Sequence, residues 1–146
     1  MTEATAKHQL GTAKSVVVKV GSSLLTNGHA LRASWLASVA SDIASLIKQG
    51  KRVTVVSSGA VALGRRVAEF SGSSDALAEK QARAAMGQIQ LAESWRVALS
   101  AHSIPAAQIL LTPDDTEERQ RYLNARDTLD ALASIGAVAI INENDT

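Results

Sequence analysis

Apolar and polar positions alternate between two rhythms along this chain. Residues 15–20 (Ser15-Val16-Val17-Val18-Lys19-Val20) form a short β-branched run that ends in Gly21-Ser22-Ser23, the pattern of a buried strand followed by a tight loop. From 34 to 49 the period lengthens: Trp35, Leu36, Val39, Ile43, Leu46 and Ile47 recur at helical spacing, with Ser34 as a candidate cap and Gly50 where a C′ glycine belongs. Residues 52–57 predict a second strand. It runs into Ser58-Gly59 and a helical stretch over 60–66. A small-residue linker follows at 70–74, with Asp75 as a capping residue, and then a long helix over 77–100. Gly87 weakens the middle of that helix by about 1 kcal/mol relative to alanine and marks a candidate close helix contact. Residues 105–111 predict a third strand. Thr112-Pro113-Asp114-Asp115 has the composition of a helix start: a capping threonine, proline at the first position, and acids facing the positive end of the dipole. A mainly helical stretch over 117–135 ends at Gly136, and the all-apolar run 137–142 predicts a fourth strand buried on both faces.

Strands alternating with helices imply a parallel sheet with right-handed crossovers. The expected fold class is α/β, an open and mainly parallel sheet with helices on both faces. In such sheets ligands gather beyond the carboxyl ends of the strands. That rule selects residues 19–23, 57–60, 112–115 and 142–146. Residues 1–14 are expected to be a flexible leader.

Composition narrows the classes. The chain has 146 residues, room for one domain. Cysteine is absent, which excludes a disulfide scaffold, a zinc finger and a thiol nucleophile. A formal net charge of +1 argues for neither nucleic acid nor a membrane surface, and 3% aromatics leave no stacking platform for bases. No apolar run approaches the ~18 residues of a membrane span. The polar opening lacks the apolar core of a secretory signal, so a cytoplasmic protein is expected.

Three of the strand ends carry candidate chemistry. Lys19 closes an apolar strand, where a lysine is costly to bury unless it meets an anion or reaches solvent. With Gly21, Ser22 and Ser23 it offers a point charge and a nest of donors for phosphate oxygens; a solvated edge-strand lysine is the alternative. Ser57-Ser58-Gly59-Ala60 joins a strand end to a helix start, which makes either an anion pocket or an ordinary βα turn. The glycines at 59 and 64 are spaced as in a P-loop, but Arg65-Arg66 stands where lysine and serine or threonine belong, so that motif fails. No G-x-G-x-x-G occurs. Asn142-Glu143-Asn144-Asp145 places amides and carboxylates after an apolar strand, either to hold an ammonium group or as a solvated terminus. His8, His29 and His102 form no metal-ligand spacing, and Arg119, Arg121 and Arg126 interleave with acids as surface ion pairs. Trp35 and Trp95 belong to helix faces that pack into the core.

The segments Val16-Val17-Val18-Lys19-Val20-Gly21-Ser22-Ser23 and Val55-Val56-Ser57-Ser58-Gly59-Ala60-Val61-Ala62-Leu63-Gly64 resemble the opening of the amino-acid kinases. Three later runs resemble the glutamate 5-kinase branch of that family: Lys80-Gln81-Ala82-Arg83-Ala84-Ala85-Met86-Gly87-Gln88, Tyr122-Leu123-Asn124-Ala125-Arg126-Asp127-Thr128-Leu129 and Ile140-Ile141-Asn142-Glu143-Asn144-Asp145. The resemblance covers residues 15–146 and implies an αβα sandwich. It implies ATP and Mg²⁺ as cofactors, L-glutamate as substrate, proline as a feedback inhibitor, and a homo-oligomer. Lys19 would contact the transferred phosphoryl group, Gly21 and Ser22 the ATP phosphates, and Ser58, Gly59, Asn142 and Asp145 the glutamate. The implied reaction is attack of the γ-carboxylate on the γ-phosphate of ATP. The carboxylate is already ionised at neutral pH and needs no general base.

In the family the nucleotide-binding half, with its adenine pocket and metal ligands, follows these motifs, and many members add an RNA-binding-like domain. Residues 15–146 are therefore expected to be the amino-acid-binding portion, with no metal ligand of their own and no turnover of ATP alone. A non-catalytic glutamate- or proline-binding module, or an assembly module, is the competing reading. A third, another amino-acid kinase acting on acetylglutamate or carbamate, fits the runs at 122–129 and 142–145 less well.

Overall fold

The computed structural model describes residues 3–27, 30–65, 67 and 76–144. In chain order the elements are α1 (Glu3–Thr12), β1 (Ser15–Val20), α2 (Ser22–Leu25), β2 (Thr26–Asn27), β3 (Ala30–Leu31), α3 (Ala33–Lys48) and β4 (Arg52–Ser57). Then come α4 (Ala60–Gly64), α5 (Leu77–Ser100), β5 (Ala106–Leu111), α6 (Asp114–Glu117), α7 (Arg119–Ser134) and β6 (Val138–Glu143). The expected linker at 70–74, the Asp75 cap and His29 lie outside the described residues.

Four strands form one sheet in the order β1-β4-β6-β5, every neighbouring pair parallel. The register sets Val18 beside Val55 and Val55 beside Ile140, so strand periodicity sends Val16, Val18 and Val20, Val53 and Val55, and Val138 and Ile140 to one face. On that face lie α3 and α5. Their buried positions, Leu36, Ala40, Ile43 and Ala44 on one helix and Leu91, Trp95 and Leu99 on the other, join Val18, Val20, Val53, Val55, Val138 and Ile140 in a single core. Helix α7 contacts β6 and buries no residue of its own. The α/β class and the parallel sheet agree with expectation.

Several details differ. β1 is an edge strand and alternates in burial, with Val17 66% exposed. Glu3–Thr12 of the expected leader is helical, and Lys51 Nζ donates to the carbonyls of Gly11 in its last turn and of Ala13 just past it, both at 2.8 Å. Ser34 does not cap α3, because the small antiparallel pair β2–β3 delivers the chain two residues earlier and Arg32 takes the cap position without a side-chain bond. Gly50 does close α3: at φ +79° it donates to Ile47 O at 2.8 Å while Lys51 N donates to Leu46 O at 3.2 Å. The helix expected over 117–135 is broken at Glu118, which is extended (φ −79°, ψ 120°). Thr112 also behaves differently from an N-cap, since its N–H and hydroxyl both donate to Asp115 Oδ2, at 2.7 and 2.8 Å. Those two bonds hold the Asp115 carboxyl below its ordinary pKa, with a smaller contribution from Arg121. Arg121 pairs with Glu118 at 3.2 Å and Arg126 with Asp127 at 2.8 Å, the surface ion pairs expected. Among the described residues no helix is long and apolar enough to cross a membrane.

One packing feature positions the site. α4 and α5 meet through glycine on both sides. A Cβ on Gly64 would overlap the Arg83 carbonyl oxygen, and one on Gly87 would overlap the Ala60 carbonyl oxygen. The two backbones touch without intervening side chains, which is the close contact Gly87 signalled in the sequence.

Candidate functional site

Two loops at the carboxyl edge of the sheet are tied to one another. After β1 the chain turns at Gly21 into α2, and after β4 it turns at Ser58-Gly59 into α4. The Ser58 N–H donates to Val20 O at 2.9 Å, which locks the second turn onto the end of the first strand. Gly59 sits at φ +123°, and a Cβ there would stand 3.2 Å from Leu25 Cδ2 and 3.6 Å from Ser22 Cα. Glycine is required here on both counts: the backbone lies where other residues are strained, and α2 comes up against it. Ser57, one residue earlier, points inward. It is fully buried, and its Oγ accepts the Trp95 Nε1 proton at 3.0 Å, so it serves the core and not the ligand edge.

Between these loops and the end of β6 lies a cleft of about 380 Å³, lined by Ser22, Ser58, Gly59, Arg65, Asn142 and Glu143 among others. It offers two hydroxyls, an amide, a cation and a carboxylate, a mixed set suited to a small zwitterion. Asn142 is 9% exposed and donates through Nδ2 to Gln88 Oε1 on α5 at 2.7 Å. A second, smaller cavity of about 260 Å³ lies on the α5 side, lined by Gln88, Ile89, Gln108, Leu110 and Glu143 among others. At the end of β5, by contrast, Asp115 is committed to Thr112, which gives residues 112–115 a structural explanation.

A family model described as the amino acid kinase family matches residues 14–146. The chain belongs to the amino acid kinase family. Among curated relatives it is 56% identical over 134 residues to the glutamate 5-kinase of Allorhizobium ampelinum, covering 91% of this chain and 34% of that protein. It is 52% identical over 143 residues to the glutamate 5-kinase of Rhizobium etli, covering 97% and 37%. To that of Gluconobacter oxydans it is 49% identical over 147 residues, covering 99% and 39%. The chain thus spans little more than a third of the length of the curated relatives it matches.

In this amino acid kinase chain the structure brings together Ser22, Ser58, Gly59 and Asn142 of the residues expected from sequence. Lys19 and Gly21 do not line the cleft. Lys19 is exposed, and the burial alternation of β1 places it on the sheet face opposite Val18 and Val20; its register partner is Val56. Gly21 is the N-cap of α2. Asp145 lies outside the described residues. Among the described residues no group of three or more histidine, aspartate or glutamate side chains could hold a metal ion. Gly21 and Ser22 open α2 directly after the strand that carries Lys19. Two contributors were not singled out from the sequence. In the sequence Arg65 stands out only where it breaks the P-loop pattern. Gln88 closes the run 80–88, and its one sign in the sequence is that it is a polar residue on the stripe Ala84, Leu91, Trp95 that packs inward.

Proposed function

We propose that this chain is the amino-acid-binding portion of a glutamate 5-kinase, the enzyme that transfers the γ-phosphoryl group of ATP to the γ-carboxylate of L-glutamate at the start of proline synthesis. The observation that carries this reading is the polar cleft of Ser22, Ser58, Gly59 and Asn142 at the carboxyl edge of the sheet, in a chain about half identical to glutamate 5-kinases. Ser58, Gly59 and Asn142 hold the glutamate, with Asp145 completing its ammonium site. Lys19 neutralises charge on the transferred phosphoryl group, and Gly21 and Ser22 cradle the phosphates. Mg²⁺ bound with ATP supplies further charge neutralisation, and its ligands belong to other residues of the enzyme. The γ-carboxylate attacks in its ionised form, so these residues orient reactants in line and do not move protons. Proline as a feedback ligand, a homo-oligomeric state and a cytoplasmic setting belong to the same proposal.

The coverage of 34–39% of the relatives' length favours one further statement: residues 1–146 bind glutamate without turning over ATP. Calorimetric titration of the chain with L-glutamate tests the site. The expected result is saturable binding that Asp145→Ala or Ser58→Ala weakens at least tenfold. Equal binding by both variants and the unaltered chain would remove the site assignment. Glutamate-dependent ADP release from the isolated chain would remove the division of labour.

A further inference from the structure

Opposite charges share the carboxyl-edge cleft without meeting. Arg65 is the one cation among its described lining residues and Glu143 the one carboxylate, and neither side chain has an ion pair or a hydrogen bond with a described residue. Arg65 is exposed, so the core does not account for its charge. Its backbone is nonetheless well fixed. It caps the carboxyl end of α4, where its N–H donates to Val61 O at 3.1 Å, and the preceding Gly64 lies against the Arg83 carbonyl of α5. Helix α4 forms one wall of the cleft. Gly59 opens it beside Ser22, and Arg65 closes it about 9 Å further along the axis, at a rise of ~1.5 Å per residue. A ligand lying along that wall has Ser22 at one end and Arg65 at the other.

We propose that Arg65 is a substrate-binding residue that holds the α-carboxylate of glutamate, the carboxylate that does not react. The inference rests on the proposed function and supplies the charge which that reading leaves unassigned. L-glutamate at neutral pH carries two carboxylates and one ammonium group, so it is a net anion. Ser58, Gly59 and Asn142 are neutral, and Glu143 and Asp145 are acidic. Without Arg65 the described cleft would meet an anion with no cation at all. Chemistry chooses the end of the ligand. The γ-carboxylate must keep an oxygen lone pair free for phosphorus, and a guanidinium gripping both oxygens in its fork would draw charge from the nucleophile. On the α-carboxylate the same fork costs the reaction nothing. Gly21 and Ser22, read as the phosphate cradle, set the reacting end beside Gly59, which leaves the α-carboxylate toward Arg65.

L-isoglutamine tests the assignment, because it keeps the ammonium group and the γ-carboxylate of glutamate and replaces the α-carboxylate with a neutral amide of the same shape. In calorimetric titration of the chain, Arg65→Gln should weaken L-glutamate about tenfold or more and change L-isoglutamine by less than about twofold. Arg65→Lys, which keeps the charge and loses the fork, should fall between. Equal losses of both ligands, or an unchanged affinity for glutamate, overturn the proposal. A second measurement depends on no variant. In the unaltered chain the Arg65 Nε–H resonance should shift on saturation with L-glutamate and stay in place with L-isoglutamine; no shift with glutamate overturns the proposal even if Arg65→Gln fails to fold. Glutamate binding that Arg65→Gln leaves intact removes this inference alone, whereas no binding of glutamate by the unaltered chain removes the proposed function with it.

Discussion

The two faces of the sheet are held very differently. On one, α3 and α5 bury Leu36, Ile43, Leu91, Trp95 and Leu99 against Val53, Val55, Val138 and Ile140. On the other, α7 covers β6 without burying a residue, and Tyr122 on that helix is 52% exposed. The carboxyl-edge cleft draws its parts from the first face: Asn142 is held from α5, and the Ser58-Gly59 turn leads into α4, which is locked to α5 by glycine. A ligand edge thus derives its order from the closed face, while the open face contributes little to holding it.

Substitutions on the two faces should part company accordingly. Trp95→Ala removes the largest fully buried side chain and strands the Ser57 hydroxyl, and we expect it to cost about 3–5 kcal/mol in urea unfolding. A cost under 1 kcal/mol would mean that the core does not centre there. Next is Gly87→Ala, which forces a methyl group into the Ala60 carbonyl; a loss of about 1–3 kcal/mol is expected, although alanine is the better helix former. A gain in melting temperature would show that α4 and α5 do not touch by backbone.

The turn at the end of β5 should show itself in acid. Asp115 has its pKa lowered by the Thr112 N–H and hydroxyl, so its contribution to stability is present above the ordinary carboxyl range and is lost as pH falls through its folded-state pKa. Asp115→Asn should flatten that part of a stability–pH curve while leaving glutamate binding intact. An unchanged curve would show that the pairing with Thr112 does not persist in solution. The smallest effect is expected from Tyr122→Ala, within about 0.5 kcal/mol of the unaltered chain. A large loss there would mean that the α7 face is covered in solution.

Much of the fold was legible because its main elements are strongly periodic. The β-branched runs at 15–20 and 52–57 and the stripe Leu36, Val39, Ile43, Leu46 carry their own period, and Gly50 and Gly136 mark helix ends by their positive φ. The pair β2–β3 escaped notice because strands of two residues are too short to show alternation. The break at Glu118 escaped because Thr112-Pro113-Asp114 begins a helix well and nothing local stops it after one turn. Ser58, Gly59 and Asn142 were reachable from the rule that strand ends gather ligands. Gln88 and Arg65 enter the site only through the packing of α5 and the direction of α4, which no local pattern encodes.

The paired glycines of α4 and α5 have a thermal consequence. With Gly64 against Arg83 and Gly87 against Ala60, α4 has no room to rotate or slide unless α5 goes with it. The Ser58-Gly59 turn inherits that heading, so the cleft has no local melting transition of its own. Warmed toward unfolding, the chain should keep its ligand affinity nearly level and then lose it at the temperature where Trp95 leaves the core.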